Sequence, residues 1–351
     1  MSTLFKDNAK LSATLIGSVV GAGFLSGAEL VRFFPSENFL PWAAYAAALF
    51  FVCFWLLSRC GAAFGGFDGA LFAAFGRAAS LFRAVMLASA LVLCAAMLAG
   101  LDAAVREGFG VYYAFPFAAA LAMPLVCLFA RRGTGGAAAF NLLLVPFILL
   151  FLLAAAKNGD YAGTDYAMKS VPRAFFSVTL YVAMNVFLAA PVVCDAGAAR
   201  RQGDGIPACT VAAFVLGGGI AIVLANVARA GGAGAELPFL AAATGEGWRR
   251  AFTAVCLCGI LTSLFSAYYP LHACVSGRKK AALFRAAFAL CAFALSFAGL
   301  RGLVEYAYPV IGGAGAVLLA ALVFAQIKSA SRASSRRARR AHTSPRQARR
   351  G

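Results

Sequence analysis

Polar residues along this chain gather in short clusters, and the stretches between them are apolar on every helical face rather than on one. A surface helix shows a single apolar stripe, whereas a helix that is hydrophobic all round is buried in a large core or in lipid. The apolar stretches cover about 9–31, 38–58, 81–105, 110–130, 137–156, 173–195, 207–229, 249–273, 281–300 and 307–327. Most have the ~20 residues that a helix needs to cross a hydrocarbon core of ~30 Å. No water satisfies the backbone there, so helices closed on their own hydrogen bonds are the expected form. The segment 59–80, RCGAAFGGFDGALFAAFGRAAS, carries Gly, Asp and Arg at short intervals and predicts a loop with short interfacial helices. The pattern predicts an all-α polytopic membrane protein with ten transmembrane helices.

Composition agrees, with 62% of the 351 residues hydrophobic and 13% charged, against roughly 25% charged in a soluble domain. The net charge of +18 raises the question of nucleic acid, but Lys and Arg lie in clusters between apolar runs and at the C-terminal end. That placement fits membrane topology, and no nucleic-acid partner is expected. With the N-terminus in the cytoplasm, Lys6 and Lys10, Arg131 and Arg132, Arg200 and Arg201, and Arg278 to Lys280 fall inside, while Arg249 and Arg250 fall outside, a bias of 13 to 9 before the C-terminal tail. An even span count returns the C-terminus to the same side, which predicts a multi-pass protein of the inner (cytoplasmic) membrane. Residues 331–351 are polar and of one charge, and are expected to form a disordered basic cytoplasmic tail drawn to anionic lipid. No small-residue cleavage pattern ends the first apolar run, so it is expected to remain as a helix. Cysteines sit mainly inside apolar runs and His272 and His342 are the only histidines, so packed thiols and no cofactor are predicted.

Ten spans divide into five and five. An odd number per half makes the second half run opposite to the first, the arithmetic of an inverted repeat. The membrane domain would occupy 1–330, with repeats over about 9–156 and 173–327 that pair the first span with the sixth. Both carry an interruption. In the first, GSVVGAGFLSGAEL (17–30) sets Gly17, Gly21, Gly23 and Gly27 in an apolar run, where each costs about 1 kcal/mol against alanine in a helix. In the sixth, FFSVTLYVAMNVFLAAPVV (175–193), Tyr181 and Asn185 fall at mid-span and Pro191 follows. Discontinuous first and sixth helices would free backbone groups at the midplane, and matched interruptions point to a central binding site. Around Gly21, Ala22 and Gly23, amides could face a carboxylate and carbonyls a cation. Gly17 and Gly21 also form a GxxxG, whose other reading is close helix packing.

The eighth span, CGILTSLFSAYYP (258–270), places Thr262 and Ser263 side by side. Each hydroxyl could bond its own i−4 carbonyl, or join free carbonyls near Gly17 and Val20 in an all-oxygen sodium site. Glu29 either pairs with Arg32 near the outer end of the first span or faces the pathway as a gate. Asp102 either pairs with Arg106 at i+4 or couples a proton or ion to transport. Asp195, at the inner end of the sixth span, is expected to meet Arg200 or Arg201 and to help close the cytoplasmic side as a gate. Phe24, Tyr181, Tyr268 and Tyr269 either gate a pathway or bury surface.

The opening IGSVVGAGFLSGAELVRFF resembles the signature of the YkvI-like membrane proteins, a group related to the amino acid–polyamine–organocation transporters. The resemblance runs through the ten spans, including YVAMNVFLAAPV in the sixth, and more distantly reaches sodium-coupled transporters of the LeuT fold. It departs where Ala28 precedes Glu29 in place of the group's usual Gln. The resemblance implies sodium ligands at Gly17, Val20, Gly259, Thr262 and Ser263. It implies a solute site at the amides of Ala22 and Gly23 and at Tyr181, Met184 and Asn185, with spans 1, 2, 6 and 7 rocking against the rest. No GxxxxGK[ST] phosphate loop appears, and the spans show no histidine cluster and few carboxylates from which to build an enzyme's catalytic group. A secondary transporter is expected, moving an amino acid or related carboxylate with sodium. The alternatives are a proton-coupled or uncoupled carrier of a small amine or nucleobase-like solute, and a ligand-binding membrane sensor.

Overall fold

The computed structural model describes residues 3–35, 38–113, 115–130, 145–148, 150, 170–200, 205–230, 237, 245–275, 277 and 279–343. The first apolar run folds as three helical pieces, α1 (Thr3–Val19), α2 (Ala22–Ser26) and α3 (Ala28–Phe33). Then come α4 (Phe39–Phe64), α5 (Phe67–Phe75), a 3-10 turn (Gly76–Ala78), α6 (Ala79–Phe109) and α7 (Phe117–Ala130). The second half holds α8 (Val171–Ala199), α9 (Ile206–Ala230), α10 (Glu246–Val275), α11 (Ala281–Ser296) and α12 (Leu300–Thr343). As the spacing of polar residues over 59–80 predicts, a short helix, α5, bridges α4 and α6. The expected fifth span, 137–156, falls largely outside the described residues.

Six stretches among the described residues are long and apolar enough to cross a membrane: Phe39–Phe64, Phe67–Phe109, Val171–Ala199, Ile206–Ala228, Glu246–His272 and Leu300–Ser331. Phe117–Val126 and Ala281–Ser296 are shorter apolar helices. Large apolar side chains also point outward along these helices, among them Phe214, Leu121 and Phe324, each more than 70% exposed. Lipid is the solvent that such a surface requires. The chain is an all-α polytopic membrane protein.

Helix contacts come in exchanged pairs. α4 packs on α8 as α9 packs on α1, α10 packs on α1 and α2 as α6 packs on α8, and α11 packs on α6 as α7 packs on α10. Swapping the first span for α8, α4 for α9, α6 for α10 and α7 for α11 maps each contact onto its counterpart. This is packing of the inverted-repeat kind.

Two expectations need correction. α8 is continuous from Val171 to Ala199, so only the first of the paired spans is broken. The residues read as its interruption contain no glycine, and Asn185 satisfies itself locally, its Nδ2 donating to the Tyr181 carbonyl at 3.0 Å. Pro191 removes a single donor and stays within the helix. The last helix also carries on to Thr343, through much of the segment expected to be disordered. Ala and Arg are strong helix formers, and extending an existing helix needs no new nucleus.

Candidate functional site

The break in the first span is double. α1 stops at Val19, Gly21 is the N-cap of α2 in extended geometry, and α2 ends at Gly27 in the left-handed region at φ 82°. Positive φ is open to glycine at little steric cost, so Gly27 lets the chain turn once more before α3. A helix end leaves its last four carbonyls without intrahelical partners. Here two are met from α10. Ser263 Oγ donates to the Gly17 carbonyl at 3.3 Å, and Thr262 Oγ1 lies 3.4 Å from the Val20 carbonyl and 2.8 Å from that of Gly259. Thr262 and Ser263 are both buried.

Of the five oxygens that the resemblance implies, that of Gly17 thus meets Ser263, and those of Val20 and Gly259 meet Thr262, at adjacent buried positions of α10. Small residues keep the contact close. A Cβ on Gly21 would come within 2.7 Å of Ser263 Oγ, and one on Gly259 within 2.2 Å of Leu25 Cδ1 and 3.3 Å of the Val20 oxygen. The donor set is neutral and all oxygen, the kind that suits a hard monovalent cation. The local bond from Thr262 to Gly259 is the shorter one, so both readings of that hydroxyl coexist.

The other first-span residues lie beside this place. Ala22 and Gly23 open α2, and Phe24 is fully buried. Tyr181 and Met184 are buried on α8, and Phe33, Phe34 and Phe50 surround the Tyr181 ring at centroid distances of 5.7, 5.3 and 6.3 Å. Asn185 is buried too, with its donor turned into its own helix. Glu29 departs most from expectation. It is only 3% exposed, while Arg32 points outward and is exposed. The turn at Gly27 swings Glu29 back across α2, where its carboxylate would stand 2.1 Å from a Cβ on Gly23. Tyr308 of α12, which sequence reasoning missed, lies against it in the fully buried core. Its only sequence signal is a hydroxyl-bearing residue beside Pro309 at the start of an apolar run.

Asp102 and Asp195 both find partners other than those expected. Asp102 accepts from the Tyr113 hydroxyl at 3.0 Å and from the amides of Ala118 and Ala119 at 3.2 and 3.3 Å. It caps the start of α7 from a distance instead of pairing with Arg106, whose guanidinium lies over the Tyr113 ring. A capped helix start outcompetes a solvated ion pair because its orphan amides have no other partner. Asp102→Ala is expected to cost about 1–2 kcal/mol, read as a lower melting temperature in detergent, with Asp102→Asn losing less. Asp195 accepts from the Phe67 amide at 2.8 Å and the Tyr269 hydroxyl at 2.9 Å, tying the end of α8 to α5 and α10. Arg200 reaches Asn8 instead, and Arg201 lies outside the described residues. A cavity of about 410 Å³ opens beside this junction, lined by Asp68, Arg83, Pro191, Asp195 and Pro270 among others.

Among the described residues, no group of three or more His, Cys, Asp or Glu converges as a metal site. No family model matches the chain, and no curated protein matches it. Solved structures do. MHP1, a nucleobase-cation-symport-1 family transporter in a closed conformation with bromovinylhydantoin bound, aligns with a TM-score of 0.54 at 14% identity, over 91% of this chain and 74% of its own. The Eremococcus coleocola manganese transporter, in complex with an aromatic bis-isothiourea substituted compound, aligns with a TM-score of 0.54 at 12% identity, over 93% of this chain and 79% of its own. The likeness shows the fold, one shared with these two transporters.

Proposed function

We propose that this protein is a secondary transporter of a small nitrogen-containing solute, driven by sodium and working by alternating access. The observation that carries the reading is the meeting of Ser263 and Thr262 with the carbonyls of Gly17 and Val20 at the break in the first span. A midplane helix break leaves polar backbone that must be paired, and a sodium ion held there would tie α10 to the first span. In this reading sodium is a co-substrate, released because its ligands are neutral. Gly21, Ala22, Gly23, Phe24, Tyr181, Met184 and Asn185 border the solute.

Fold likeness to a nucleobase-cation transporter supports a nucleobase-like or amine solute at least as well as an amino acid, the class suggested by the YkvI-like opening motif. The placement of basic residues supports cytoplasmic termini in an inner membrane. The test is uptake into liposomes holding the purified chain, with labelled amino acids, small amines and nucleobases under an inward sodium or potassium gradient. At least one solute is expected to accumulate with sodium and not with potassium. Equal uptake in both would remove sodium from the proposal, and no accumulation of any member would remove the solute class.

A further inference from the structure

Glu29 on α3, Tyr181 on α8 and Tyr308 on α12 bring a carboxylate and two hydroxyls together beside the first-span break. The three residues are 3%, 0% and 0% exposed. Both hydroxyls lie near enough to Glu29 to couple electrostatically with its carboxylate. The Tyr308 hydroxyl faces the Glu29 carboxylate as its one nearby donor, while the Tyr181 hydroxyl and Glu29 Oε2 have no hydrogen-bond partner among the described residues. The titratable side chains coupled to this group are its own three members and Cys94 of α6 beside Tyr308. Glu29 takes part in no ion pair among the described residues.

A structural carboxylate in a membrane core is normally paired, because an uncompensated buried charge is among the costliest arrangements a fold can hold. Asp102 and Asp195 follow that rule, each held by two or three donors of the protein. Glu29 does not. The open Glu29 Oε2 and the lone pairs of the two phenol oxygens offer three acceptors to the hydrogens of an ammonium group, and the aromatic rings around Tyr181 suit a cation as well. We propose that Glu29, Tyr181 and Tyr308 receive a positively charged nitrogen of the transported solute. The proposal rests on the transporter reading above and narrows its solute class. Sodium has its own oxygens at Thr262 and Ser263, so the two cations occupy separate places.

The test is a thermal-shift titration of the full-length protein in detergent with matched pairs of solutes: small amino acids against the same acids lacking the amine, and small alkylamines against the corresponding alcohols. An amine-bearing member of a pair is expected to raise the melting temperature, and its nitrogen-free partner to have no effect. Glu29→Gln is expected to weaken that binding at least tenfold, and Tyr308→Phe severalfold, while the shift produced by sodium alone is kept in both. The proposal is overturned if the nitrogen-free partner binds as well, if Glu29→Gln binds the amine like the unaltered protein, or if no amine binds. Should Glu29→Gln not elute as a single folded species, Tyr308→Phe and Tyr181→Phe carry the same comparison. Binding of amines without any uptake would keep this pocket and sink the transporter reading. Sodium-driven uptake of nitrogen-free or neutral solutes alone would do the reverse.

Discussion

Replacing Thr262 and Ser263 together by alanine is expected to lower sodium-driven accumulation a hundredfold or more, to the level seen in potassium. The two hydroxyls are the only side-chain members of the oxygen cluster, and each lies within 3.4 Å of a carbonyl at the end of α1. A polar ligand to a charged group contributes about 1.5–3 kcal/mol, so losing both removes about 3–6 kcal/mol of ion affinity. The carbonyls of Gly17 and Val20 would then face a methyl surface. Exchange of solute down its own gradient is expected to persist, because the Glu29 side of the break is untouched. The measurement is paired uptake in sodium and potassium, with counterflow of labelled solute as the control for a folded carrier. Retention of the sodium effect in the double variant would remove this cluster as the coupling site.

The second large effect is structural. Gly61→Ala is expected to lower the melting temperature by about 5 °C or more and to broaden the elution profile, with Gly61→Val worse. A Cβ at Gly61 would stand 1.9 Å from the backbone oxygen of Cys194 and 2.7 Å from its Cα. The crossing is reciprocal, since a Cβ at Gly197 would stand 2.4 Å from the backbone oxygen of Ser58. Backbone cannot swing aside as a side chain does, so the helices must part, and overpacking of this kind costs about 1–3 kcal/mol or more. The same parting would loosen Asp195, one residue beyond Cys194, from the Phe67 amide. An unchanged melting temperature would mean that α4 and α8 do not cross at this closeness. By contrast Gly218, with open space where its Cβ would be, is expected to accept alanine without loss.

Some of this was legible from local pattern alone. Apolar runs with charged punctuation specified a helical membrane protein, because lipid acts on each span separately and its demand is written along the chain. The glycine run at 17–27 likewise marked the broken first helix, whereas the hydroxyl pair on the eighth span left open whether it bonds its own helix or meets that break, and Thr262 does both. In each case the physical requirement belongs to one segment: length, apolarity, or tolerance of a turn. The sixth span was misread because a polar residue inside a helix looks the same in sequence whether it breaks the helix or back-bonds to it, as Asn185 does.

Partner choice lies beyond such reading. Asp102 had an arginine four residues away and took two amides and a tyrosine hydroxyl instead; Asp195 had two arginines nearby and took an amide and a tyrosine from other helices. Glu29 had Arg32 within one turn, and the left-handed turn at Gly27 carried it inward to Tyr181 and Tyr308. Sequence therefore determined that the chain is a helical membrane protein and where its first span breaks. Tertiary structure alone decided which buried polar groups are satisfied and which are left open, because a hydrogen bond in a dry interior goes to whatever the packed backbone brings within about 3 Å, however far away it lies in the chain.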